Sequence, residues 1–162
     1  MIHYYMHESP LGKLCLAASD AGLCGLYFEE HRHFRGAQGW REGEHPHLAR
    51  AAAQLDAYFG GKLREFDVPL DLQGTPFQQA VWRHLSKVAY GATSSYLAHA
   101  CAIGADRAVR AVGSAIGRNP LSIIIPCHRI VGSDGNLTGY AGGLERKRYL
   151  LDFEAAGAIG PA

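Results

Sequence analysis

The stretch Ile123-Ile124-Ile125-Pro126-Cys127-His128-Arg129-Ile130 sets a thiol beside an imidazole directly after an apolar run and a proline. Cysteine attacks carbon as its thiolate, which requires a nearby base or a positive potential. His128 can supply the base if the fold turns the two side chains together; because adjacent residues point in different directions, the contact could run through a water or a backbone bend. A carboxylate behind the imidazole would fix its tautomer and stabilise its charged form. Glu154 is the candidate, on a predicted last helix (residues 144–156) where it shares neighbouring directions with Lys147, Leu150 and Leu151. Taken singly, Cys127 reads as a buried structural thiol and His128 as a core histidine; Pro-Cys-His-Arg at a strand-to-loop transition favours a nucleophile.

No pair of Cys or His has zinc-ligand spacing: Cys15 and Cys24 are far apart, and His31 and His33 flank an arginine. A structural metal is not expected. The four cysteines are expected to be free thiols, because Met1-Ile2-His3-Tyr4-Tyr5 does not resemble an export signal and a cytoplasmic location follows. Apolar runs such as Leu121–Ile125 fall far short of the roughly 20 residues that span a bilayer, so no membrane partner is expected.

Charge is uneven along the 162 residues. Residues 1–73 carry seven Lys or Arg against ten Asp or Glu, whereas residues 74–162 carry nine against five. The second half is the one suited to a polyanion.

The elements that must position Cys127 divide at Gly74. Residues 2–8, 13–18 and 23–29 predict an antiparallel meander with turns at Ser9-Pro10-Leu11-Gly12 and Ser19-Asp20-Ala21-Gly22. Residues 31–46 lack any period and read as a loop. Leu48, Ala52, Leu55 and Phe59 recur at helical spacing, with Gly60-Gly61 as the stop. Residues 1–73 and residues 74–162 are thus expected to be two domains, with Cys127 in the second.

Thr75-Pro76-Phe77-Gln78 has the form of a capping box with proline at the first helical position, and Phe77, Val81, Leu85 and Val88 form the expected buried stripe. A second helix should start near Ser94 or Ser95 and end at Gly104; a third should run from an Asp106 cap to about Gly117. Two short helices around a glycine turn outline a helix-turn-helix. On the third, Val109, Val112 and Ile116 share one face, leaving Arg110, Ala111, Ser114 and Gly117 on the other. Small outward residues suit close approach to the backbone; the alternative is tight helix packing with Arg110 at its rim. Ser122–Ile125 reads as a buried strand, Ser133–Asn136 as a hairpin-type turn, and Gly139–Gly143 as a loop able to fold over a ligand.

Ile125–Ile130, with Arg110-Ala111-Val112-Gly113, Asn119-Pro120 and Gly139-Tyr140-Ala141-Gly142-Gly143, closely resembles the O6-alkylguanine-DNA alkyltransferases. The resemblance spans residues 74 to about 156, and reaches the N-terminal part more weakly through Ser9-Pro10-Leu11-Gly12. It implies an RNase H-like N-terminal domain, a small antiparallel sheet with a helix, and a mainly helical, winged-helix-like C-terminal domain. It also implies repair of duplex DNA containing O6-alkylguanine, with O4-alkylthymine a further lesion, by a self-inactivating protein that is monomeric in solution, with cooperative binding on DNA a further expectation.

By position, the resemblance makes Cys127 the alkyl acceptor, His128 its base through a water, Glu154 the carboxylate orienting the histidine, and Asn119 the link between helix-turn-helix and active-site segment. Arg110 would enter the base stack, with Ala111 and Ser114 beside it on DNA. Tyr96 would help rotate the nucleotide and hydrogen-bond the base, and Tyr140, Lys147, Ile130, Ala141 and Gly142 would line the pocket. The chain differs from the family pattern at Ala89, Ala92, Asp106 and Leu97-Ala98-His99. Two other readings compete: a lesion-binding module with an inert Cys127, and a Cys-His hydrolase.

Overall fold

Ser9 and Gly12 close the first hairpin of the chain. The Ser9 hydroxyl donates to Gly12 O at 2.7 Å and accepts from Leu11 N at 3.1 Å, and Gly12 takes φ +98°, a conformation open to glycine. The computed structural model describes residues 1–29, 39–135, 137 and 139–159. Strands β1 (His3–Ser9), β2 (Gly12–Ala18) and β3 (Leu23–Phe28) form the expected meander, in register from His3 against Ala18 to Ser9 against Gly12. A fourth strand, β4 (Arg41–Glu42), pairs parallel to β1, so the sheet is mixed, in the order β3-β2-β1-β4, rather than antiparallel. Two residues are too short to show alternation, which hid β4 inside a stretch that reads as loop. Residues 31–38 of that stretch lie outside the described residues.

Helix α1 (Pro46–Phe59) packs on the sheet and is capped by His45, whose side chain accepts from His47 N. Its buried residues are Leu48, Ala51, Leu55 and Tyr58; the predicted Ala52 and Phe59 lie at the edge of that stripe. The connector adds to the sheet's β3 edge through Leu23 N to Pro69 O and Asp71 N to Leu23 O, both 2.8 Å.

Helix α2 (Pro76–Leu85) begins with the full capping box: Gln78 N donates to the Thr75 hydroxyl at 3.1 Å, and Thr75 N donates to Gln78 Oε1 at 3.0 Å. Its buried side chains are Val81, Trp82 and Leu85. Phe77, expected in the stripe, is 40% exposed, and Val88 falls beyond the helix end and is half-buried. Strand β5 (Ser94–Ser95) leads into α3 (Tyr96–Ala102), whose Ser95 cap accepts from Ala98 N at 3.0 Å. Asp106 does not cap the next helix: residues 106–108 form a 3-10 turn, and α4 (Val109–Gly117) follows Ala108 with no side-chain cap. Gly104, at φ +74°, makes the bend between α3 and α4. Trp82 ties α2 to α4 by donating Nε1–H to Ala115 O at 2.8 Å. His99, buried on α3, donates Nε2–H to Val81 O at 3.1 Å, which leaves its Nδ1 to accept from His84 at 3.0 Å.

Ser122–Ile125 is a turn, not a strand. Ile125 N bonds Leu121 O, Ile124 N bonds Ser122 O, and Ile123 takes φ 72°, a strained conformation for a β-branched residue. The segment nevertheless meets the N-terminal sheet, because Leu26 N bonds Pro120 O at 2.8 Å and Ser122 N bonds Leu26 O at 3.2 Å. Strand β6 (Ile130–Val131) pairs parallel with β5, a ribbon too short to foresee. Gly135 N bonds Gly132 O in the expected turn, whose Asn136 lies outside the described residues. Helix α5 (Leu144–Ile159) ends the described chain, three residues beyond the expected stop. One buried cluster runs from Leu14, Leu16 and Phe28 through Leu55 and Tyr58 to Val81, Trp82, Val112, Ile125, Cys127 and Leu150. All four cysteines are free, and among the described residues no helix is long and apolar enough to cross a membrane.

Trp82→Phe should therefore loosen α4 from α2. The loss of one buried donor and part of a ring predicts a stability decrease of about 1–3 kcal/mol, read as a lower denaturant midpoint at unchanged slope.

Candidate active site

Pro126 ends the strained turn, and Cys127–Arg129 follow as one 3-10 turn, all three side chains buried. The turn is held from below by Asn119, at the end of α4: its Nδ2 donates to Ile125 O at 2.7 Å and its Oδ1 accepts from Leu121 N at 2.9 Å. The same side chain favours the Cys127 thiolate. Burial pushes the thiol's pKa up, while Asn119, the Lys147 charge and the backbone N–H groups of Cys127 and His128 pull it back. Lys147, buried on α5, is itself lowered to about 8 by burial, with Cys127 acting the other way.

His128 is fully buried and its Nε2 lies 2.8 Å from Glu154 Oε2. Burial lowers the imidazole's pKa, with Glu154 opposing. An ionised carboxylate can only accept, so Nε2 carries the proton and Nδ1 is the basic atom. Nδ1 is buried with no protein hydrogen-bond partner among the described residues.

Burial alone would raise Glu154, but hydrogen bonds and charge from His128 and Arg129 hold it at about 2. A neutral His128 lends a hydrogen bond but no charge, so Arg129 is the group that keeps Glu154 ionised. It grips both oxygens, Nε to Oε1 at 2.8 Å and Nη2 to Oε2 at 2.9 Å. Its Nη1 donates to Val88 O at 2.7 Å, and its guanidinium lies 5.7 Å from the Tyr90 ring centre. Tyr58 of α1 completes the set, its hydroxyl donating to Glu154 Oε2 at 2.6 Å.

Cys127 faces a cavity of about 250 Å³, lined also by Tyr96, Ser114, Asn119, Tyr140 and Ala141. Gly113 of α4 also lines the cavity, and a Cβ added there would meet the Tyr96 ring at 3.8 Å, an ordinary contact distance. Gly142 is fixed by close approach: a Cβ there would meet Phe28 at 2.5 Å and Tyr140 at 2.9 Å. Arg146 bonds Leu11 O and Gly142 O, which fastens this loop to the first hairpin. The Tyr140 hydroxyl is buried; the Ser122 side chain opposes the burial-driven rise of its pKa without reaching hydrogen-bonding geometry.

Cys127, Asn119, Tyr96, Tyr140, Ala141 and Ser114 thus share one cavity, with His128 and Glu154 in the wall behind. Lys147, Ile130 and Gly142, expected to line the pocket, are buried and do not line it. Arg110 and Ala111 are exposed on α4, and Ser114 stands where that outer face reaches the cavity. Tyr58 and Arg129 belong to the site although no motif in the sequence singles them out. Adjacency to His128 was the available signal for Arg129; Tyr58 showed only as a helical position three residues after Leu55.

Residues 76–156 match the family described as 6-O-methylguanine DNA methyltransferase, DNA binding domain, and residues 2–72 match its ribonuclease-like domain. The chain belongs to this methyltransferase family. The methylated-DNA–protein-cysteine methyltransferase of Mycolicibacterium paratuberculosis is 48% identical over 154 residues, 95% of this chain and 93% of the relative. The crystal structure of Mycobacterium tuberculosis O6-methylguanine methyltransferase superposes with a TM-score of 0.90 at 47% identity, covering 100% of this chain and 96% of that one. A structure of Mycobacterium tuberculosis OGT in complex with DNA gives 0.89 at 47% identity, covering 96% and 94%. The methyltransferase fold of a small sheet domain and a helical domain agrees with the architecture described above.

Because the folded pKa of Glu154 is about 2 against an ordinary 4.5, its contribution to stability is complete above pH 4.5 and disappears as pH falls toward 2. Arg129→Met should reverse this dependence. With its permanent cation gone, the buried carboxyl is raised, so the variant loses about 3–5 kcal/mol at neutral pH and regains part of it on acidification toward 4.5. Denaturant unfolding at several pH values reads both signs.

Proposed function

We propose that this methyltransferase repairs duplex DNA by moving the alkyl group of O6-alkylguanine onto Cys127 in a single irreversible turnover. The observation that carries the reading is the Cys127–His128–Glu154 arrangement at the floor of a cavity beside α4, with His128 Nδ1 left as an unengaged base. In the proposed step Nδ1 takes the thiol proton through a water, and Sγ attacks the alkyl carbon. The carbon–oxygen bond breaks, its electron pair passes to the guanine, and Tyr96 donates toward the leaving base. Glu154 steadies the imidazolium that forms. Asn119 and Lys147 favour the thiolate, and no cofactor enters. O4-alkylthymine offers the same O-alkyl carbon to the same attack.

Chemistry on a base requires it to leave the stack, at a cost of a few kcal/mol. Arg110 fills the gap, while Ala111 and Ser114 let α4 lie close in the minor groove. The positive half, residues 74–162, binds the lesion-bearing duplex, residues 1–73 support it, and the protein acts in the cytoplasm as a monomer, with cooperative binding along DNA an extension of this proposal.

Intact mass after mixing with a duplex carrying one O6-methylguanine should rise by one methylene, mapped to Cys127, and stop at one equivalent. No gain from folded protein would overturn transfer and leave lesion binding without chemistry as the better reading. Arg110→Ala should slow repair of duplex about tenfold or more, by the cost of one lost intercalating contact, while leaving thiol alkylation by a small reagent unchanged; equal duplex repair by the variant refutes the finger role.

A further inference from the structure

Glu154 Oε2 receives three hydrogen bonds, from His128 Nε2 at 2.8 Å, Tyr58 Oη at 2.6 Å and Arg129 Nη2 at 2.9 Å. Tyr58 is the donor that comes from the N-terminal half, and it is fully buried. Its ring packs against Phe59, Phe66, Tyr90 and Phe153 with centres 5.1–6.2 Å away, contacts that phenylalanine would make equally well. Burying the extra hydroxyl is unfavourable unless it is bonded, and its partner is Glu154. We infer that Tyr58 is a positioning residue for alkyl transfer, whose hydroxyl holds Glu154 Oε2 against His128 and limits the negative charge that this oxygen offers the imidazole.

The inference rests on the proposed Cys127–His128–Glu154 relay. Burial, then Glu154, raises the phenol's pKa, so Tyr58 remains a donor across the working range. A donor on the same oxygen competes with His128 for its charge, which favours the neutral imidazole that can accept the thiol proton. The other titratable or charged groups facing His128 and Glu154 are Arg129 and Cys127 on the same turn, Tyr90 after α2, Tyr140 in the loop, and Lys147 on α5. All of them are kept when Tyr58 alone is changed, so a shift in titration reports the hydroxyl.

The test compares wild type, Tyr58→Phe and Glu154→Gln in single-turnover transfer from an O6-methylguanine duplex as a function of pH, with the His128 ring followed by NMR and thermal unfolding in parallel. The Tyr58→Phe plateau should fall about tenfold, the scale of one hydrogen bond to a charged group. Its acid limb and the His128 titration should both move to higher pH, because Oε2 then stabilises the imidazolium more strongly. Lower thermal stability with an unmoved limb overturns the inference and leaves Tyr58 a packing residue. Wild-type transfer by Glu154→Gln instead overturns the relay, a separate failure. Should Tyr58→Phe not fold, Tyr58 replaced by 3-fluorotyrosine keeps the ring and strengthens the donor: the limb should move to lower pH, and an unmoved limb again overturns the inference.

Discussion

An ionised carboxylate sealed inside the protein is the constraint on which the rest of the site depends. Taking Glu154 out of water costs several kcal/mol, so it persists there only with donors on both oxygens and a permanent positive charge close by. Arg129 supplies the charge from the turn that carries Cys127, His128 supplies a donor from the same turn, and Tyr58 supplies one from α1. Three segments far apart in the chain are thereby fixed to one another. The position of α5 is equally fixed, since Lys147, Leu150 and Glu154 must all face inward.

Burial has a second consequence, for the nucleophile. The same low-dielectric surroundings that push the Cys127 thiol up push the His128 imidazole down, so the resting pair is neutral on both sides. A neutral thiol is a poor target for adventitious alkylation or oxidation. In the proposed reaction the charge-separated pair is needed only as the carbon–sulfur bond forms, and Glu154 on one side and Lys147 with Asn119 on the other are already in place to stabilise it. Pre-placed charges of this kind need no reorganisation at the moment of reaction.

Elements encoded by neighbours in sequence were legible. The Thr75 box depends on residues three apart, the meander on turn residues beside short alternating runs, and the Cys127–His128 pair on adjacency. Glu154 was reachable because helical spacing set it toward an apolar face. What could not be read depends on partners remote in the chain. Tyr58 resembles any aromatic on a core stripe until Glu154, 96 positions away, is placed against it. Ser122–Ile125 has the composition of a strand, and Asn119 clamps its ends into a turn by bonding Leu121 and Ile125. Strands β4, β5 and β6 are two residues each, below the length at which a period exists.

The small outer face of α4 is explained by what lies on both of its sides. Inward, Val112, Ala115 and Ile116 join the core, and Trp82 grips the helix through Ala115 O, so α4 cannot move outward without breaking a buried bond. Sideways, Gly113 and Ser114 form part of the cavity wall, where longer side chains would close the route to Cys127. Outward, Arg110 and Ala111 stand in solvent. One helix therefore serves a packed core and a cavity mouth at once, and that double demand already restricts positions 113 and 114 to small residues. Contact with DNA, in the proposed function, adds its own requirement at 110 and 111, where neither core nor cavity dictates the side chain. That division separates the residues whose size is set by the fold from those left for the ligand to select.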